Sequence, residues 1–382
     1  MDKRITIAVI AALILSCLPD IAQGQSTTPV RPVAAGSERN EGPIPLTRCD
    51  VRLSYANDAI VDTTGRNDWG YTSGFRFSAL WPLQLDPATG ALRGGLVPSS
   101  PIDARLRRFV EDADGVVQPW LGLAAGQDIF TPKVFHDRRV LKGDRPYAGW
   151  LYTAIVLELA TRFGFLGAEL DMGVTGRYSF ADTAQSYVHR TIGSPEPVGW
   201  REQIRPGVGA ELIATGGYTV LDVRAAGING SEIRAFDLLF YGETSAGNVL
   251  LAQAAGWTAR VGYLLKRTGN PINHAVDAAG GKSSAGLRPG GADLFQFYAY
   301  LRLKAQLVFH NSLIQGWPDT RNPYAVGIAP LVYEAEGGIV VQPVNLLDAV
   351  FSITHVTQET RTGRSDRGGH TYGQLQLGLH FF

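Results

Sequence analysis

Cysteine is nearly absent from this chain. Only Cys17 and Cys49 occur, which leaves no material for a disulfide framework or a cysteine metal cluster. No sign of charge is in excess either, since 35 Lys and Arg meet 35 Asp and Glu. A nucleic-acid surface needs a basic surplus, so that class of partner is excluded. Charged residues are scarce at 18%, against roughly 25% in ordinary soluble domains. Past the N-terminal segment, no apolar run approaches the ~18 residues that mark a spanning helix.

What is present begins with a secretory pattern over residues 1–24. Lys3 and Arg4 precede an apolar run from Ile5 to Leu18, and Ala22-Gln23-Gly24 offers a small-x-small cleavage site. Ile14-Leu15-Ser16-Cys17 is an alternative, looser lipobox pattern. Residues 25–46 are rich in Pro, Ser, Thr and Gly and are expected to form a flexible leader, with the folded domain over 47–382.

That domain is dominated by period-two alternation. From Phe297 to Phe309, Phe297, Ala299, Leu301, Leu303, Ala305, Leu307 and Phe309 share one face, while Tyr298, Tyr300, Arg302, Lys304 and Gln306 share the other. Soluble strands usually run five or six residues, whereas a tilted membrane crossing takes about 9–11. Residues 257–266 and 168–177 repeat the pattern, again with charges on the face opposite the apolar one. About twelve such segments start near residues 50, 70, 118, 148, 165, 204, 232, 249, 292, 327, 345 and 371. The expected fold is all-β: a transmembrane antiparallel barrel of about 12 strands, in the outer membrane of a Gram-negative bacterium.

Three polar clusters interrupt the strands. Asn57 and Asp58 end the first segment, with Asp58 in the phase of Arg52 and Ser54, so it is expected to face inward. Thr72, by the phase of Phe75 and Phe77, is expected to face inward as well and to meet Asp58 near the rim. The second cluster, Gly143-Asp144-Arg145-Pro146-Tyr147-Ala148-Gly149-Trp150, offers an arginine that could clamp a phosphate or carboxylate. The third, Gln185 to Gly193 and on to Gln203, breaks the alternation and reads as a short helix at the outer mouth. Its His189 has the side chain best suited to general base work near neutral pH.

The segments YANDAI, GYTSGFRFS, GQDIFTP, DRPYAGWLY and VHRTIG, with FHNSLIQG later, resemble the outer-membrane lipid A 3′-O-deacylase family from about residue 49 to the C-terminus. The resemblance implies a calcium-dependent esterase near the outer rim that removes the 3′-linked acyloxyacyl chain of lipid A. It implies catalytic roles for His189, Asn57, Asp58 and Thr72, and substrate contacts from Asp144, Arg145 and Tyr147. Asp58 is the expected calcium ligand, with Glu196 a second candidate on proximity to His189. Lipopolysaccharide, outer-membrane lipid and the barrel assembly machinery are the implied partners. No Gly-x-Ser-x-Gly setting exists, so an α/β-hydrolase is excluded; a Thr72 or Ser73 nucleophile stays open beside an activated water. A non-catalytic pore and an outer-membrane phospholipase are the competing functions.

Overall fold

Successive side chains of a strand point to opposite faces, so an alternating strand can meet lipid on one side and fill an interior on the other. In the computed structural model, the described residues are 49–61, 70–85, 91–94, 97–101, 118–134, 143–160, 164–226, 232–264, 295–318, 322–344, 347–361 and 369–381. The expected signal and leader, residues 1–24 and 25–46, lie outside them.

Twelve strands form a closed antiparallel barrel: β1 (Cys49–Asn57), β2 (Gly70–Pro82), β6 (Gln118–Thr131), β7 (Ala148–Ala160), β8 (Gly164–Thr175), β9 (Val208–Ala226), β10 (Glu232–Gly247), β11 (Leu250–Leu264), β12 (Gln296–Asn311), β13 (Leu331–Val344), β14 (Leu347–Val356) and β15 (His370–Phe381). Each pairs with its neighbour in sequence, and β1 closes on β15 with Cys49 opposite Phe381. Between β2 and β6, the short strands β3 (Gln84–Leu85), β4 (Ala91–Gly94) and β5 (Val97–Pro101) make a separate small sheet. The expected strand starts hold to within four residues, the largest offsets being at β9, β12 and β13 (204 against 208, 292 against 296, 327 against 331).

Strand direction places Cys49 and Phe381 at one end. At the far rim, the described residues of the connections are 58–61, 132–134, 143–147, 176–207, 248–249, 312–318, 322–330, 357–361 and 369. Along the wall, Leu53, Phe75, Phe77, Ile155, Leu301, Leu303 and Leu377 are exposed outward, while Arg52, Arg76, Arg302 and Lys304 are buried inward. The interior is packed rather than open. Arg76 forks onto Glu169 at 2.7 and 2.9 Å, Arg52 bridges Asp50 and Asp348 at 2.9 and 3.2 Å, and Arg302 joins Glu336 at 2.7 Å and also Glu334. A water-filled channel would leave such side chains wet; Asp171, Asp348 and Arg260 are at most 1% exposed.

Candidate active site

A row of residues in register crosses four adjacent strands just below the far rim. Asn57 stands opposite Ser73, Ser73 opposite Ile129, and Ile129 opposite Gly149. All four share the outward phase of Tyr55, Phe75, Leu123 and Ile155, which are exposed. Ile129, however, is only 4% exposed and Gly149 is buried, because helix α1 (Ala181–Ile192) covers them.

The helix seats on the wall through small groups. A Cβ at Gly149 would lie 2.2 Å from Ser179 Oγ and 2.4 Å from the Ala181 Cβ, so only glycine permits the approach. Beside it, outward-phase Gln127 donates from Nε2 to the Ser179 carbonyl at 2.5 Å. Ala181, Gln185 and His189 recur every four residues and are all buried, the stripe of a helix lying on a surface. Gln185 Oε1 accepts from Trp200 Nε1 at 2.9 Å, and the Trp200 ring packs on Tyr147 with centroids 4.8 Å apart. Trp317 braces the returning segment, donating from Nε1 to Thr175 Oγ1 at 3.1 Å and to the Arg205 carbonyl at 3.2 Å. The expected short helix therefore exists, but it lies on the outside of the wall.

His189 is held at two points by the turn that ends α1. Gly193 adopts φ 72°, the left-handed conformation that stops a helix, and the His189 carbonyl accepts the N–H groups of Gly193 and Ser194. The Pro195 carbonyl then lies 2.6 Å from Nδ1 of the ring. A carbonyl only accepts, so Nδ1 carries the hydrogen and Nε2 of the neutral ring is the acceptor nitrogen. That is the tautomer a general base needs.

Asn57 caps the 3-10 turn Asp58–Ile60, its Oδ1 accepting from the Ala59 N–H at 2.7 Å. Asp58 is buried at the start of that turn, past the last residue of β1. Thr72 departs from expectation. A β-bulge separates the pairs Tyr71–Phe130 and Ser73–Ile129, so Tyr71 takes the inward place and the extra residue Thr72 turns to Thr131, with the two Oγ1 atoms 2.5 Å apart. Thr131 shares the outward phase of Ile129, which puts Thr72 on the α1 side of the wall.

The other expected site residues are placed as follows. Asp144 closes its own loop, accepting from the Lys133 and Arg145 N–H groups at 3.0 and 2.9 Å. Arg145 is buried over the ring of inward-facing Phe130 at 4.5 Å, and its Nη1 donates to Glu359 at 2.9 Å. Tyr147 is fully buried beneath Trp200, and its carbonyl accepts from the Ile204 N–H at 2.9 Å. Glu196 is exposed and lies 3.8 Å from Arg190. Among the described residues, no three His, Cys, Asp or Glu side chains gather as a metal group. Sequence reasoning missed Gln127, Ile129 and Gly149 as the seat of α1. Gly149 had a signal, a glycine inside an otherwise bulky strand.

A closed barrel with a lipid-facing wall, a packed polar interior and a histidine-bearing helix on its outer face defines an integral outer-membrane protein whose polar site adjoins the bilayer. The family model for outer membrane protein LpxR matches residues 9–381, and the chain belongs to that family, the lipid A deacylase family its motifs resemble. LpxR from Salmonella typhimurium is similar at 20% identity over 87% of this chain and 100% of that one, with a TM-score of 0.64. The transport unit of the Escherichia coli autotransporter AIDA-I (8% identity, covering 91% of this chain and 93% of that one, TM-score 0.33) and an outer membrane channel from Pseudomonas putida F1 (9%, 91% and 100%, 0.35) are more distant barrels. No curated protein matches the chain.

Proposed function

We propose that this protein hydrolyses the ester joining the 3′ acyloxyacyl chain to the sugar of lipid A. The observation that carries the reading is the position of His189: a base in the acceptor tautomer, on a helix outside the wall, on the side where membrane lipid lies. His189 Nε2 takes a proton from water, and the water oxygen attacks the ester carbonyl. The carbon–oxygen bond to the sugar then breaks, and the sugar oxygen receives the proton from Nε2. Throughout, Nδ1–H stays on the Pro195 carbonyl, so the ring does not rotate between the two transfers.

The rim turn fits a hard cation such as calcium. Its donors are oxygens only, the buried Asp58 carboxylate with the carbonyl oxygen of Asn57 and the hydroxyl of Thr72 nearby in the β1–β2 hairpin. Among the described residues no three carboxylates gather here, so backbone and water oxygens would complete the shell. When bound, calcium supplies positive charge for the developing oxyanion, a contribution of several kcal/mol.

A pore is the weaker reading, because paired charges fill the interior. Mass spectrometry of lipid A from cells expressing the protein tests the proposal. The expected product is lighter by the primary chain together with its secondary chain, with both phosphates retained. Unchanged lipid A in cells holding the assembled barrel and calcium overturns it, and a change confined to glycerophospholipids assigns a phospholipase instead.

A further inference from the structure

The buried stripe of α1 rests on outward-phase residues of β6 and β7, so its opposite face is farther from the barrel axis than the wall itself. That face and the turn before it carry Tyr178, Phe180 and Tyr187, which are 50%, 61% and 68% exposed. Phe180 holds a left-handed backbone at φ 54°, a conformation suited to glycine or asparagine, and most of its surface is exposed. Arginines are interleaved. The Arg177 guanidinium sits 4.9 Å from the Tyr178 ring centre, and Arg190 and Arg201 are exposed. The turn follows directly on β8, whose Leu170 and Met172 are exposed on the outer wall, and Val208 and Leu212 of the paired β9 are exposed beside them.

We propose that Tyr178, Phe180 and Tyr187, with Arg177 and Arg190, form an interfacial anchor that seats α1 in the outer leaflet at the boundary between acyl chains and anionic headgroups. Aromatic rings that are apolar in body and polar at the tip settle at that boundary, and arginines beside them meet phosphate. The outer face of α1 carries Tyr187 among Thr183, Arg190 and Thr191, and the turn before it adds Tyr178 and Phe180, the mix of rings, hydroxyls and cations that suits a boundary between apolar and anionic groups. The exposed apolar wall of β8 defines the membrane side, and the turn that carries Tyr178 follows β8 directly. The inference rests on the outer-membrane placement of the barrel and is independent of the ester chemistry.

Site-directed spin labelling tests it. In a chain with Cys17 and Cys49 replaced by alanine, Tyr187→Cys and, separately, Phe180→Cys are labelled, and the folded barrel is placed in bilayer vesicles containing lipopolysaccharide. Leu170→Cys on the wall is the membrane reference, and the free label in buffer is the aqueous one. Collision of both helix labels with oxygen should exceed that with a water-soluble nickel chelate, as at Leu170→Cys. Nickel collision dominating at both positions, as in buffer, would overturn the anchor whether or not the protein deacylates anything. Tyr187 projects from mid-helix and touches little, so that variant keeps the test open if Phe180→Cys fails to fold.

Discussion

Nδ1 of His189 meets the carbonyl oxygen of Pro195 at 2.6 Å, across the turn that ends the helix on which His189 rides. That partner is a backbone carbonyl, which fixes the orientation of the ring and its tautomer. Position here depends on backbone. Replacing Pro195 by alanine keeps the carbonyl and should leave turnover close to the parent. Gly193→Val meets open space yet must hold φ 72°, at a cost of roughly 1–2 kcal/mol to the turn. Its turnover should fall while the barrel still shifts on a gel between unboiled and boiled samples, and equal loss in both variants would count against the turn as the device.

His189→Gln should reduce lipid A deacylation by about 10²–10⁴-fold, the usual share of general base catalysis. Thr72→Ala should reduce it only partially, because its hydroxyl is engaged with Thr131 and suits a positioning role. Near-total loss for Thr72→Ala, with a trapped acyl-enzyme, would move the mechanism to a covalent one.

Gly149→Val tests the seat of the helix. The new side chain would collide with Ser179 and Ala181, and overpacking of this kind typically costs about 1–3 kcal/mol. Deacylation should drop severely, while the heat-modifiable barrel persists, since β7 keeps its ladder to β6 and β8.

Chelation should abolish activity and calcium restore it, with Asp58→Ala unresponsive to added calcium. Isothermal titration of the folded barrel offers a readout apart from turnover: heat of calcium binding in the parent and none in Asp58→Ala. Full activity in excess chelator would remove the cation from the mechanism.

Inside the barrel, Arg76→Ala removes the forked guanidinium from the buried Glu169 carboxylate, and breaking a buried pair costs about 3–5 kcal/mol. The double change Arg76→Met with Glu169→Leu should recover much of that loss. The gel transition temperature of the three proteins measures both effects.

The wall was legible because alternation is geometric: once Phe297 to Phe309 strictly alternate, the strand has two chemically different faces and a length that crosses a bilayer. Asp58 lies just past the alternation of β1, in the 3-10 turn that ends that strand, so the phase of Arg52 and Ser54 does not extend to it. Thr72 was not legible from its phase either, since one inserted residue reverses the phase, and the bulge appears only in the pairing of β2 with β6. For α1, the spacing of Ala181, Gln185 and His189 announces a buried face, but nothing local says whether it packs over the mouth or against the outer wall. Arg145 illustrates the limit of residue type: a side chain suited to phosphate is taken up by Glu359, distant in sequence. Glu196 follows His189 closely along the chain, yet the turn at Gly193 sends it outward to Arg190.

Because α1 rests on the outer wall and the interior is filled, a substrate of this site never passes through the barrel. It arrives by sliding within the leaflet, and its products depart the same way. Encounter is then a two-dimensional process, governed by the number of glycolipids per unit area and by leaflet fluidity. Half-saturation of such a protein is a mole fraction in the membrane, and diluting the cells in more medium leaves it unchanged.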